Sequence, residues 1–229
     1  IWPIISETAR VTQSMALSGK TWVCGKAVAS FNFYTVREIS MAELHLLSPA
    51  GFQAAGVTAG IKVSGRPDVG LLVADQTAAA AGCFTRNLVV AAPVIVGREH
   101  IVDGRLRAIA ANSGNANACT GQQGMRDAKR MCALTAELIG AEPQQILPSS
   151  TGIIGHVLPM GKIESGISSA VKGLGNSAEH SERFMDAILT TDTKRKLATT
   201  QLRIGKETIT IAGVCKGAGM IGPRMGPPQ

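Results

Sequence analysis

The chain has 229 residues, of which 45% are hydrophobic and only 3% are aromatic, and it carries a formal net charge of +7. This composition excludes a disordered chain and a disulfide-rich scaffold, and it predicts a core built from aliphatic side chains. The basic residues are scattered and do not form a run interleaved with aromatic residues, so we expect no nucleic-acid binding; diffuse positive charge fits mild attraction of small carboxylates.

The cysteines and histidines also exclude several classes of site. The five cysteines are odd in number and have no C-x-x-C spacing, which favours free thiols and a cytoplasmic protein. The four histidines show neither H-x-x-x-H nor H-E-x-x-H spacing, so we expect no metal site. No apolar run approaches the roughly 20 residues of a membrane-spanning helix, and we expect no membrane segment.

Residues 1–44 differ from the rest of the chain. They hold both tryptophans and the single tyrosine, lack a sustained hydrophobic period, and include Met41 as a candidate start. We interpret them as an extension of the folded domain. It is either a leader, which would make an organelle the location, or upstream sequence included by a gene-model error.

From residue 50 onward the pattern predicts regular elements. Short apolar runs bounded by Gly, Asn, Asp or Pro predict buried strands at 69–74, 89–96 and 106–111. Apolar residues at spacings of three and four predict helices over 121–140 and 161–174, and a third that begins at Ser177 or Ala178. Alternating residues at 199–204 and 207–214 predict a hairpin with a II′ turn at Gly205. This order predicts a mixed α/β fold, with too little β-α-β alternation for a doubly wound sheet.

Four loops have residues suited to ligand binding. Residues 112–121 lie between a strand and a helix and form either an anion-binding loop or a structural turn. Residues 148–155 place hydroxyls and a glycine N–H at a bend, which fits either an oxyanion hole or a helix cap. Residues 190–193 end a helix, and their polar side chains can form hydrogen bonds with a polar substrate. Asp192 has no histidine or serine in an obvious catalytic-triad arrangement, which gives little support to a hydrolase triad. Lys216, framed by glycines after a strand, is either a carboxylate partner or a solvated lysine.

Six strings in collinear order resemble the ornithine acetyltransferase / N-acetylglutamate synthase family of arginine biosynthesis. They are residues 54–62, 92–94, 112–121, 149–155, 190–193 and 216–221. The resemblance covers residues 48–226 and implies a layered mixed α/β fold that is incomplete without a second chain. We therefore expect an α-chain-like domain at 45–226 and an aberrant tail at 227–229.

The resemblance also implies an activity. Family members transfer acetyl from N-acetylornithine to glutamate, and some also use acetyl-CoA as a co-substrate; we expect no resident cofactor. They cleave themselves into α and β chains that assemble as α2β2, and the new N-terminal threonine of the β chain is the nucleophile. By this resemblance Thr151 and Gly152 form the oxyanion hole, and Thr190 and Lys216 contact the amino-acid substrate.

The sequence departs from the family pattern at the cleavage site. The family register places cleavage after Gly226, but the nucleophile position holds Pro227. Proline has neither a hydroxyl nor a primary amine, so we expect this chain alone to be inactive. Three alternatives remain: a related self-processing N-terminal-nucleophile aminopeptidase, a non-catalytic truncated fragment, and a module that binds an anion at residues 112–121 without turnover.

Overall fold

The computed structural model describes residues 44–217 and 224–228. Their elements confirm the predicted mixed α/β fold. In chain order they are β1 (Phe52–Val57), β2 (Val69–Ala79), β3 (Phe84–Thr85), α1 (Ala92–His100), β4 (Arg105–Asn115), α2 (Gly121–Ile139), a 3-10 turn (Pro143–Gln145), β5 (Ile146–Ile153), α3 (Met160–Lys172), α4 (Ala178–Ile188), β6 (Lys196–Ile204), β7 (Glu207–Cys215) and β8 (Met225–Gly226).

A four-stranded sheet with the order β1-β2-β4-β5 forms the centre of the fold. Its β1/β2 and β2/β4 pairs are antiparallel, whereas β4 and β5 are parallel. Parallel strands end at the same edge of a sheet. The register pairs Ser113 with Thr151 and Gly114 with Gly152, so two of the predicted loops lie side by side.

Helices cover both faces of this sheet. On one face the strands pack against α2 and α3, and the fully buried residues there include Leu71, Met131 and Ile163. On the other face Ala111 lies in a cluster with Phe184 and Ile188 of α4. Successive side chains of a strand point to opposite faces of the sheet. Neighbouring alanines of β4 therefore pack into the two different clusters. A third cluster, around Phe84, lies under α1.

Most of the predicted elements are confirmed. The strands expected at 69–74 and 106–111 lie within β2 and β4, and the helices expected at 121–140 and 161–174 are α2 and α3. Helix α4 begins after Ser177, whose hydroxyl accepts a hydrogen bond from the backbone of His180 as an N-cap. The hairpin is β6–β7, and its turn has Gly205 at φ +62°, the conformation that a leading glycine permits.

Two predictions about local structure are wrong. The apolar run at 89–96 is not a strand, because residues 92–100 form α1, whose first turn contains Pro93. Proline is favoured in the first turn of a helix, and a short apolar run fits a buried helix as well as a strand. The segment at 148–155 is not a simple bend, since β5 continues to Ile153. Strand β1 (Phe52–Val57) was not predicted either.

Several expectations concern residues outside the described part of the chain. The predicted extension at 1–44 lies there except for Leu44, and so do residues 218–223 and Gln229. Within the described residues, no helix is long and apolar enough to cross a membrane, and no group of three His, Cys, Asp or Glu side chains could hold a metal ion. The four cysteines in the described ranges are free thiols.

Candidate functional site

Lys216 and Thr151 meet at the edge of the central sheet. Lys216 follows the end of β7, Thr151 is near the end of β5, and 65 residues separate them in the chain. The Lys216 ammonium donates a hydrogen bond to Thr151 Oγ1. The hydroxyl oxygen is the acceptor, so its own hydrogen remains available to a further acceptor. Two of the four predicted site residues are therefore in direct contact.

The ammonium of Lys216 is a half-buried cation. Burial lowers its pKa below the ordinary value of 10.5, and the positive charge of Lys196 acts in the same direction, while the Asp192 carboxylate opposes both. A cation with reduced solvation gains more from an anionic partner than a fully solvated one does. This position therefore suits the binding of a substrate carboxylate.

Asp192 holds the backbone beside Lys216. Its carboxylate is buried, and Oδ1 accepts hydrogen bonds from Lys196 Nζ and from the Gly217 backbone N–H, each at 2.6 Å. Lys196 also donates to the Gly217 carbonyl oxygen. Burial alone would raise the pKa of Asp192, but these hydrogen bonds and the charges of Lys196 and Lys216 hold it below its ordinary value. Asp192 thus acts as a positioning residue for Lys216, a role that the sequence analysis missed.

Gly152 allows the ends of β4 and β5 to approach each other closely. Its φ is +138°, a conformation that glycine adopts readily. A Cβ atom at this position would overlap the backbone of Gly114 and Asn115. Gly152 is exposed, so its backbone is accessible immediately next to the Thr151 hydroxyl. Any side chain at 152 would move the two strand ends apart and shift Thr151 with them.

The asparagine-rich loop after β4 is held by its own side chains. Asn117 is fully buried with φ +49°. Its backbone N–H donates to Asn115 Oδ1 at 2.8 Å, its side-chain amide donates to the Gly124 carbonyl at 2.9 Å, and it accepts from Thr120 Oγ1 at 2.7 Å. These bonds use the polar groups internally to join the loop to α2, which favours a structural turn over an anion cradle.

Thr190 lines a neighbouring cavity and has no hydrogen bond to Thr151 or Lys216 among the contacts of the described residues. The cavity has a volume of about 260 Å³, and its other lining residues are Lys62, Ser64, Arg66, Asp186 and Leu189. Lys62 Nζ donates to the carbonyl oxygens of Pro67 at 2.7 Å and Asp186 at 3.1 Å. Burial lowers the pKa of Lys62, and the charge of Lys216 contributes in the same direction.

A fully buried carboxylate fixes the loop that carries Lys62. Asp68 accepts hydrogen bonds from the backbone N–H groups of Ala59 and Ile61 at 2.6 Å and of Lys62 at 3.0 Å. Sequence reasoning missed the role of Lys62. The available signal was its place at the end of the string 54–62, which is one of the six family motifs.

The predicted cleavage position lies on a short strand. Gly226 is the buried end of β8 and pairs with Phe84 of β3. A Cβ atom at position 226 would come within 2.7 Å of Arg86 Nε, so glycine leaves room for that arginine. Pro227 follows directly and offers no nucleophilic side chain.

Comparison with known proteins identifies the family. The ArgJ family model matches residues 53–227. This chain belongs to the ArgJ family. It is 46% identical over 181 residues to the arginine biosynthesis bifunctional protein ArgJ of Rhodopirellula baltica, which covers 79% of this chain and 44% of that protein. It is 49% identical over 180 residues to the protein of the same name from Symbiobacterium thermophilum, with 78% and 44% covered.

Two solved ArgJ-type structures have a similar fold. The crystal structure of ArgJ from Bacillus halodurans is 40% identical, with a TM-score of 0.75 over 80% of this chain and 94% of that chain. The ornithine acetyltransferase of Mycobacterium tuberculosis complexed with ornithine is 38% identical, with a TM-score of 0.76 over 80% and 96%. The resemblance found from the six motifs is thereby confirmed. The chain spans about 44% of the length of the curated ArgJ proteins it matches.

Proposed function

We propose that this chain is the α-chain portion of a glutamate N-acetyltransferase that moves acetyl from N-acetylornithine to glutamate in arginine biosynthesis. The observation that carries the proposal is the hydrogen bond from Lys216 to Thr151 in a member of the ArgJ family. The names of the relatives, which refer to arginine biosynthesis, and the ornithine complex of the Mycobacterium tuberculosis enzyme support it.

Thr151 and Gly152 would stabilise the oxyanion. In the first step the nucleophile attacks the acetyl carbonyl of N-acetylornithine, and the carbonyl oxygen becomes negatively charged before ornithine leaves with a proton. The free hydrogen of the Thr151 hydroxyl can donate to this oxygen, and the charged hydrogen bond from Lys216 makes that hydroxyl a stronger donor. The Gly152 backbone N–H would be the second donor. In the second step the glutamate amine attacks the acetyl-enzyme and forms N-acetylglutamate.

Lys216 and Thr190 would contact the amino-acid substrate. Both amino acids have carboxylates, and Lys216 is a half-buried cation held in place by the bond between Asp192 and Gly217. The cavity lined by Thr190 and Lys62 is large enough for part of an amino acid and adds a second positive charge. Acetyl-CoA remains a proposed additional co-substrate, and the proposal includes no resident cofactor.

The nucleophile would come from a β chain. Pro227 cannot act as one, and the proposed partner is a β chain that starts with threonine, in an α2β2 assembly with an α-chain domain of residues 45–226. Three exposed apolar side chains within the five residues after Gly152 support a partner surface here: Ile153, Ile154 and Val157 are 62%, 64% and 57% exposed. Apolar clusters of this kind mark interaction sites. The proposal includes a cytoplasmic location, which the free thiols support.

The test is to coexpress this chain with the β portion of the Bacillus halodurans relative and to follow labelled acetyl from N-acetylornithine to glutamate. We expect the two portions to copurify and to form labelled N-acetylglutamate, and Thr151→Val to lower the rate about 100-fold or more. This chain alone should give no transfer. Failure to copurify would contradict the proposed partner. Transfer by the chain alone, copurification without any transfer, or an unchanged rate in Thr151→Val would contradict the proposed roles.

A further inference from the structure

A second cavity lies between the end of β3 and helix α1, and its residue Arg86 is next to Gly226 of β8. Its volume is about 400 Å³, and its lining residues are Arg86, Asn87, Leu88, Val90 and Arg98. Among the described residues, none of them is hydrogen-bonded to Thr151 or Lys216, and none lines the cavity of Thr190. Arg86 directly follows β3, and Arg98 is in the last turn of α1.

The two arginines bring uncompensated positive charge into this cavity. Neither guanidinium has an ion pair with a carboxylate within residues 44–217 and 224–228. Glu99, the acidic neighbour of Arg98 in the sequence, pairs instead with Lys129 at 3.4 Å. Arg98 donates to the Thr85 carbonyl through Nη2, and its Nε is buried without an acceptor. A buried donor without a partner is costly, so this guanidinium is incompletely satisfied by the described residues.

The wall of the cavity is held by local hydrogen bonds. The Asn87 backbone N–H donates to Thr85 Oγ1 at 3.2 Å, and Asn87 Oδ1 accepts from the Val89 backbone at 3.0 Å. The Arg86 backbone N–H donates to the Arg224 carbonyl at 2.8 Å, which ties this loop to the segment before β8. The backbone that carries Arg86 is therefore set before any ligand binds. Preorganisation of this kind reduces the entropic cost of binding.

We propose that this cavity binds a phosphoryl group of a small molecule, with Arg86 and Arg98 as its ligands. Guanidinium groups match the oxygens of phosphate with paired N–H donors. A phosphoryl dianion neutralises two guanidinium charges, whereas a single carboxylate neutralises one. The side chain of Leu88 is 97% exposed, so it leaves an apolar surface beside the charges for the organic part of a phosphate ester.

The test is an NMR titration of the 229-residue chain with inorganic pyrophosphate, with coenzyme A and with glutamate as a carboxylate comparator. We expect saturable binding of at least one phosphoryl probe at residues around the cavity, and weaker binding of glutamate. Arg86→Gln and Arg98→Lys should each weaken the binding about tenfold or more. Arg86 is exposed, so its loss should leave the fold intact even if the half-buried Arg98 cannot be changed safely.

Arg203→Gln is the matched control, because it removes the same charge from an exposed position on β6. Its binding should stay within about twofold of the wild type, since a distant exposed charge is screened by salt. Tighter binding of coenzyme A than of pyrophosphate would identify an organic phosphate as the ligand. Tighter binding of pyrophosphate would identify an inorganic phosphate. Absence of saturable binding by both probes, equal loss in Arg203→Gln, or glutamate binding as tight as pyrophosphate would overturn the proposal.

Discussion

The Asp192 carboxylate accepts a hydrogen bond of 2.6 Å from the backbone N–H of Gly217. This single bond connects the segment after α4 to the residue that follows Lys216, and Lys196 reinforces it by bonding to both partners. Lys216 in turn reaches Thr151 at the end of β5. Three segments that are distant in the chain are thus joined at one edge of the sheet.

Asp192 should stabilise the fold in a pH-dependent way. Asp192→Ala would leave the Gly217 N–H without its acceptor, so we expect the free energy of unfolding at neutral pH to fall by about 1–3 kcal/mol. The pKa of Asp192 is below its ordinary value of 3.8. Its contribution is therefore complete above pH 3.8 and is lost as the pH falls through the folded-state pKa.

Urea unfolding at several pH values would measure this difference. The gap between wild type and Asp192→Ala should narrow below pH 3.8. Asp103→Asn, at an exposed position without an ion pair among the described residues, is the control and should stay within about 0.5 kcal/mol of the wild type. An Asp192→Ala protein as stable as the wild type would contradict the positioning role.

Gly152→Ala should destabilise the protein and disturb the site. The new Cβ would overlap the backbone of β4, and φ +138° is strained for alanine. We expect the free energy of unfolding, measured by chemical denaturation, to fall by about 1–3 kcal/mol. Gly161→Ala is the matched control, because its Cβ meets nothing within 4 Å in helix α3, where alanine is favoured over glycine. Equal stability of the two variants would show that the close approach at Gly152 is unimportant.

Lys216 should have opposite effects on stability and on binding as the pH rises. Its folded-state pKa is lowered from 10.5, so the unfolded chain holds more protons in the window below that value. The free energy of unfolding should therefore increase as the pH rises through this window. Affinity for a substrate carboxylate should fall over the same window, because the ammonium loses its charge.

Both effects can be measured between neutral pH and pH 10.5. Chemical denaturation gives the free energy of unfolding, and titration with the substrate carboxylate gives the affinity. Lys216→Met should remove the share of both effects that Lys216 contributes and leave the share of Lys62, whose pKa is also lowered. Lys206→Met, at the exposed turn of the β6–β7 hairpin, should change neither effect. A stability profile that is identical in wild type and Lys216→Met would contradict the lowered pKa.

The chain should self-associate when it is expressed without a partner. Ile153, Ile154 and Val157 are more than half exposed, and β5 is an edge strand of the central sheet, which favours association. Sedimentation velocity should show mass that increases with concentration, and Ile154→Lys should reduce this increase. A monodisperse wild-type monomer with a cooperative melt would count against a partner surface here.

Local patterns in the sequence predicted much of the fold. Helices α2, α3 and α4 follow from apolar spacings of three and four, and the β6–β7 turn follows from Gly205, because these signals depend on neighbouring residues. The run at 89–96 was misinterpreted because a short apolar segment fits both a strand and a helix, and Pro93 indicated the helix start only in retrospect.

The contacts within the site could not be derived from local patterns. The six motifs pointed to Thr151 and Lys216, but their hydrogen bond depends on where β5 and β7 end in three dimensions. The same is true of the bond from Gly217 to Asp192, because its donor is a backbone N–H that no side-chain pattern encodes. Lys62 was missed because its environment is created by carbonyl groups of Pro67 and Asp186, which no side-chain motif encodes.

The most direct test of the central claim is a double-mutant cycle on Thr151 and Lys216, measured as labelled acetyl transfer by the chain assembled with a β portion. Thr151→Val and Lys216→Met should each reduce the rate strongly, and the double variant should lose clearly less than the product of the two single losses, because the residues act as a unit. Lys206→Met should retain the full rate. Losses that multiply independently, or a Lys216→Met rate equal to the wild type, would contradict a catalytic site built on this contact.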